Sequence, residues 1–306
     1  MIYTVTLNPS LDFISQITDL KVGRTNYSSA DSMSAGGRAI NISRLLRTMH
    51  VPTTATGFLG GKTGEFIREE LNKQDIPNDF IEIAGTTRIN ISLFSDQLET
   101  RVVGEGPTIS INEVNELMYY LARIREGDFL ILAGSLPPNV PVDIYNRMIE
   151  IAVVNGASFL PMVSQTLMKP TMEKHPLLIT PTLGDLEKIF DCELRDREEI
   201  LEKGLACIDR GAQNVLVNLG REGSLFIDSS RSAYEANGPE GPIISQTYTN
   251  IALAAGFIGS YMRTDDPVEA FRSAQAVSNA TYSVRELPSL AAIEQAREKV
   301  TVLPLN

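Results

Sequence analysis

The chain is poor in soft metal ligands and in cations. Its 306 residues include two cysteines, Cys192 and Cys207, and two histidines, too few for a disulfide framework or a thiolate and imidazole metal cluster. Lysine and arginine number 27 against 38 aspartates and glutamates, a formal charge of −11. Such a field repels phosphate backbones and anionic headgroups, which argues against nucleic acid and membrane surfaces as main partners. No run approaches the roughly 20 apolar residues of a membrane span. The opening MIYTVTLNPSLDFI alternates like a strand and has neither the charged nor the long apolar region of a secretory signal. The expectation is a cytoplasmic protein.

What is present is the composition of a globular enzyme-sized chain, 43% hydrophobic and 21% charged, enough to bury one large core. Short apolar runs alternate with helical patterns: TTATGFLG before GEFIREELNKQ, DFLILAGSLP before VDIYNRMIEIAVVNG, NVLVNLG after REEILEKGLACIDRGA. This alternation predicts an α/β domain with a largely parallel sheet, in which ligands sit beyond the carboxyl ends of the strands. Two segments, 11–34 and 86–103, are rich in Ser, Thr, Ile and Val with period-two stretches. They are expected to form a small β lid that serves as a cover or an oligomer contact. No repeat or low-complexity linker divides the chain, so residues 1–306 are read as one domain with the lid strands inserted in it.

GFLGGKTGE ends like a phosphate-binding P-loop, but the glycine required five residues before Gly61 is Thr56, and the motif is rejected. SAGGRAINISRLL sets two glycines before an apolar-periodic helix, where bare backbone suits an anion or hydroxyl group. LILAGSLP ends a buried strand in a turn that leaves the sheet. SQTYTNIALAAGFIGSY reads as a turn entering a buried helix whose small residues allow close approach to a sheet.

In this order, TVTLNPSLD, GGRAINISRLL, TGFLGGKTGE, TRIN, GEGPTIS, LAGSLP, VLVNLGREGSLF and AAGFIGSY resemble the ribokinase-like (PfkB) carbohydrate kinases, most closely the 1-phosphofructokinase and tagatose-6-phosphate kinase branch. The resemblance implies a three-layer α/β domain, a mostly parallel central sheet and a small β-sheet lid, with a phosphorylated ketohexose held between lid and sheet and Mg-ATP as phosphoryl donor. Matched position by position, Asp12, Gly37 and Asn41 fall on sugar-hydroxyl ligands, and Arg88 and Asn90 on lid residues that approach the phosphate, where a guanidinium fork suits phosphate oxygens. Arg38 and Ala39 stand where the branch has Lys-Gly. The resemblance also leaves a homodimer through the β lid open.

The catalytic side departs from the pattern. The family's Gly-Ala-Gly-Asp, an anion hole followed by the base that takes the acceptor hydroxyl's proton, falls on Tyr248, Thr249, Asn250 and Ile251. Isoleucine accepts no proton, and the Tyr248 ring is expected where the family leaves space for phosphate. The family's D-x-S-G reads Met162-Val163-Ser164-Gln165. Its Lys-Pro-Asn and following Glu become Thr180-Pro181-Thr182 and Asp185, and Arg101 stands at a position usually acidic. Gly220 and Gly223 remain in the nucleotide loop with Asn218 in place of Ser or Thr. No metal ligand set is intact, and binding of Mg-ATP is expected to be weak or absent. The leading reading is a sugar-phosphate kinase homologue that is catalytically impaired or inactive and keeps its sugar-phosphate site. An active ATP-dependent phosphofructokinase-type enzyme using another base, and a scaffold protein that keeps only the fold, stay open.

Overall fold

The computed structural model describes residues 1–95 and 98–305. Asp96 and Gln97, inside the segment 86–103, and Asn306 lie outside the described residues. Five parallel strands form one sheet in the order β5-β4-β1-β8-β9: β1 (Ile2–Thr6), β4 (Thr53–Leu59), β5 (Ile81–Glu82), β8 (Phe129–Ala133) and β9 (Ser158–Met162). β8 reads FLILA with every residue buried, as expected of a central strand covered on both faces. An antiparallel wing, β10 (Asn214–Asn218), β11 (Ser224–Asp228), β12 (Ala233–Ala236) and β13 (Val302–Leu305), continues the layer. The stretch 177–182 joins the two parts: Leu177 donates to Phe159, and Leu216 and Asn218 donate to Ile179 and Pro181.

The lid sheet has the order β3-β2-β6-β7, with β2 (Ser10–Ile17), β3 (Ser28–Gly36), β6 (Arg88–Ser95) and β7 (Leu98–Val103). β2 pairs antiparallel with β3 and parallel with β6. Register decides which side chains share a face. Ser34, Asp12, Asn90 and Val103 lie in one row, and Met33, Phe13, Ile91 and Val102 in the next, on the opposite face.

Ten helices among the described residues cover the sheet. α1 (Arg38–Thr48) and α2 (Gly61–Lys73) follow β3 and β4. α3 (Ile111–Leu121), α4 (Ile144–Val154), α5 (Gln165–Met172), α6 (Leu183–Phe190) and α7 (Arg197–Asp209) come next. α8 (Thr249–Thr264), α9 (Pro267–Tyr282) and α10 (Leu290–Lys299) close the chain. None is long and apolar enough to cross a membrane.

α8 is buried nearly all round, from Ile251 to Ser260. Its small residues differ in use from the expectation of close approach to a sheet. A Cβ on Gly256 would stand 2.7 Å from the Ala274 Cα of α9, and one on Gly259 would crowd Leu46, Met49 and Val51 at 3.2–3.3 Å. The close approach is to neighbouring helix and loop, because the bulky Phe257 is the residue turned to the sheet, with its ring centroid 5.5 Å from that of Phe226.

Candidate functional site

The lid and the carboxyl end of the parallel sheet enclose the first group of polar residues. Ser10 Oγ donates to Asp12 Oδ1 at 2.6 Å, and Asn90 Nδ2 donates to the same oxygen at 2.9 Å. The alternation of β2 sets Ser10 and Asp12 on one face, and the parallel register brings Asn90 opposite Asp12. The other carboxylate oxygen lies in a notch left by Gly36, where a Cβ would collide with it. Gly37, at φ 134°, is the N-cap of α1, a conformation that L side chains rarely adopt. It leads the chain into the buried Asn41, whose Oδ1 accepts from Arg44 Nη1 at 3.2 Å. Of the residues matched to sugar ligands, Asp12 and Asn90 are bonded to each other, and Gly37 and Asn41 open the helix that follows β3.

Arg88 enters from the lid. Its Nη1 donates to the Gly104 carbonyl at 2.9 Å and its Nη2 to Ser135 Oγ at 3.2 Å, while its buried Nε has no partner among the described residues. No carboxylate oxygen comes within 4.0 Å of the guanidinium nitrogens among the described residues. Burial pulls the Arg88 pKa below its usual value and the charge of Asp12 opposes that pull. An arginine stays protonated under such a shift. Arg38 Nη2 donates to the carbonyl of Gly134 at 3.0 Å, so two guanidinium groups flank the Gly134-Ser135 turn after β8.

At the start of α8 four consecutive side chains take separate directions. Tyr248, the N-cap, is half-buried and packs against the core cluster that includes Ile251 and Phe226. Burial raises its pKa, the charge of Asp12 raises it further, and Arg44 opposes. Thr249 faces the wing: its Oγ1 donates to the Gln246 carbonyl at 3.2 Å, and it shares a cleft of about 630 Å³ with Thr182, Asn218, Gly220 and Tyr282. Asn250 Nδ2 donates to the Thr180 carbonyl at 3.0 Å, leaving Oδ1 buried without a partner. It lines a second cleft, of about 420 Å³, with Arg38, Ser135 and Asp185. Ile251 is 4% exposed, inside the core. Thr249 and Asn250 thus line the two clefts, while Tyr248 packs against the core cluster.

Thr182 and Asp185 form a capping box at α6: Thr182 Oγ1 accepts from the Asp185 amide at 3.2 Å, and Asp185 Oδ2 accepts from the Thr182 amide at 2.9 Å and hydroxyl at 2.7 Å. Gln165 donates to Asp185 Oδ1. Burial alone would raise the pKa of this carboxyl, but the bonds from Thr182 and Gln165, helped by Lys188, hold it below the usual range. The carboxylate is thereby committed to the helix end, and no three acidic, histidine or cysteine side chains group to hold a metal ion among the described residues. Asn218 Oδ1 accepts from the Gly220 amide at 2.9 Å. At Gly223, φ 97°, a Cβ would collide with the Ala236 carbonyl oxygen, so the β10–β11 connection itself demands that glycine.

Tyr282 joins the site without having been singled out, and Ser10, Gly36, Ser135 and Gln165, which stand inside quoted motifs, without having been given a role. Ser10 carried a signal in its i−2 spacing from Asp12 on a strand. The others meet their partners only through long-range packing.

A model of the pfkB family carbohydrate kinases matches residues 7–288. The chain belongs to this family. It is 34% identical over 305 residues to the 1-phosphofructokinase of Bacillus subtilis and 32% identical over 306 residues to the D-tagatose-1-phosphate kinase of Bacillus licheniformis, covering 100% of each chain in both cases. A crystal structure of a Staphylococcus aureus protein assigned as a phosphofructokinase superposes with TM-score 0.92 at 33% identity, covering 100% of this chain and 99% of that one. Phosphofructokinase-2 of Escherichia coli bound to fructose 6-phosphate shares the fold, with TM-score 0.90 at 23% identity over 97% of this chain and 98% of that one.

Proposed function

We propose that the chain binds a phosphorylated ketohexose between its lid and sheet and that its transfer of phosphate from ATP is severely impaired. The observation that carries the binding half is Arg88, a half-buried guanidinium with an unpartnered Nε and no carboxylate in bonding range, held over Ser135. A buried cation left without a counter-charge is costly unless a ligand supplies one. A phosphate accepts from a guanidinium fork and from the Ser135 hydroxyl together. Asp12 and Asn90, two lid rows away on the same face, accept from and donate to sugar hydroxyls.

The impairment follows from Ile251, an aliphatic core residue where the family has its base, and from Asp185, whose oxygens are taken by Thr182 and Gln165. These residues do not fit the Mg-ATP arrangement that the family implies. A second reading, an active phosphofructokinase-type kinase, draws on full-length similarity to enzymes named for that activity. A coupled assay with ATP and fructose 1-phosphate or tagatose 6-phosphate separates them: turnover above about 1 s⁻¹, an ordinary enzyme rate, establishes the second reading. Calorimetric titration with fructose 1-phosphate against fructose tests the site itself.

The outer lid face supports a homodimer. Met33, Ile89 and Val102 are 54%, 46% and 55% exposed and lie on the face opposite Asp12, a partly apolar surface of the kind that marks an interface. Light scattering of the intact chain against a Met33→Glu, Val102→Lys variant tests it.

A further inference from the structure

The cleft that contains Asn250 has a lining that is part polar and part apolar. It opens at the ends of β8, β9 and the 177–182 stretch, where two hydrophobic cores meet and Val163 packs against both. Tyr145, Met162, Leu167, Met168 and Ile189 form the apolar part of its lining, the floor, and polar side chains form the rest. The volume of about 420 Å³ lies within the usual range for small-molecule pockets.

The polar groups stand at opposite ends. On the β8 side Arg38 spends one nitrogen on the Gly134 carbonyl and has no carboxylate oxygen within 4.0 Å among the described residues. On the 180–185 side stand acceptors. Asn250 Oδ1 is buried and unpartnered, held in place by the amide's bond to Thr180, and beside it is the ionised Asp185. Two strand steps, roughly 9–10 Å, separate the flanks. The Ser164 hydroxyl at the start of α5 makes no capping bond, which leaves another polar contact on the rim.

We propose that this cleft is a second ligand site, for an elongated amphiphile with an anionic group at one end, an apolar body and a hydrogen-bond donor at the other. Arg38 takes the anion, since Asp185 repels it from the far end. The floor takes the body. Asn250 Oδ1 takes the donor and so loses the cost of its missing bond. The cleft shares Ser135 with the sugar-phosphate reading, and the fructose 1-phosphate arm of the test separates the two.

The test uses 4-hydroxybenzoate, benzoate and benzyl alcohol as probes, with dissociation constants from ligand-observed NMR on the full chain. The expected order is 4-hydroxybenzoate tightest, benzoate next and benzyl alcohol weakest. Asn250→Leu should erase the difference between the first two, and Leu167→Glu should weaken both anions about tenfold or more by setting a charge in the floor. Should Leu167→Glu not fold, Val142→Glu at the mouth, where Val142 is 50% exposed, carries the same expectation without touching the core. The fructose 1-phosphate response, if the chain has one, should persist in both glutamate variants. Absence of binding by every probe at millimolar concentration, or anion binding unchanged in the glutamate variant that folds, overturns the proposal.

Discussion

Asn90 donates to the Asp12 carboxylate across the lid sheet at 2.9 Å, and that carboxylate rests in the notch left by Gly36. The bond ties β2 and β6 into one unit: under the proposed reading, a ligand hydroxyl that bonds Asp12 also depends on β6 being in register with β2. Asn90→Leu should therefore weaken fructose 1-phosphate binding although it leaves Asp12 in place. A hydrogen bond to a charged group is worth about 1.5–3 kcal/mol, or about 10- to 100-fold in dissociation constant. Calorimetry on the variant reads this directly. Affinity within a factor of two of the parent would remove Asn90 from the site.

Arg88 should discriminate phosphorylated from unphosphorylated sugar. A ligand specific to the folded state stabilises it by about 2.7 kcal/mol at a hundredfold excess over its dissociation constant, so fructose 1-phosphate should raise the melting temperature and fructose should not. Arg88→Ala should abolish the difference. Arg88→Lys should keep only part of it, because an ammonium cannot bond Gly104, Ser135 and a phosphate in one plane as the guanidinium does. Thermal unfolding with each sugar measures both effects.

The α6 cap should leave a mark on acid stability. The folded Asp185 pKa lies below the usual value, so the carboxylate contributes stability that is fully present above the unfolded value, about 3.9, and is lost as pH falls through the folded one. Thr182→Ala should cost about 1 kcal/mol at neutral pH, the usual loss for an N-cap, and the gap from the parent should narrow in acid. Urea midpoints taken from neutral pH down to about pH 3, below that unfolded value, test the trend; a gap that widens in acid contradicts the assignment.

The parallel half of the fold was readable in the sequence because buried strands such as FLILA and helices with apolar faces differ in period. The lid was readable because Ser, Thr and Val alternate in 11–34 and 86–103. The antiparallel wing was less so: β11, β12 and β13 are short, and β13 pairs with β12 from about seventy residues farther along. Asp12, Gly37, Asn41, Arg88 and Asn90 could be singled out together because they sit in local motifs, and the bond from Asn90 to Asp12 joins two of them. The directions taken by Tyr248, Thr249 and Asn250 could not, since they depend on where the helix cap turns and on distant partners such as Thr180 and Asn218.

Rebuilding the turn before α8 tests the impairment reading. Ile251→Asp alone should not give activity and should lower the melting temperature. The new carboxylate gains from the helix N-terminus, but it replaces a side chain that is 4% exposed in the core, and burying a charge without partners is costly. Tyr248 would still pack at the start of α8, and Asn250 would still be tied to Thr180. The combined change of Tyr248→Gly, Thr249→Ala, Asn250→Gly and Ile251→Asp removes ring, tether and aliphatic base position together. Groups that act as a unit in catalysis are strongly non-additive, so sugar-phosphate-dependent ATP turnover should appear only in the quadruple variant. Thr182→Asn with Asp185→Glu should raise it further by freeing the α6 acid from its cap. A positioned base is worth about 10²- to 10⁴-fold, well above the background of a coupled assay. A quadruple variant that folds and binds both ATP and fructose 1-phosphate without turnover would show that position 251 is not where this chain would place its base.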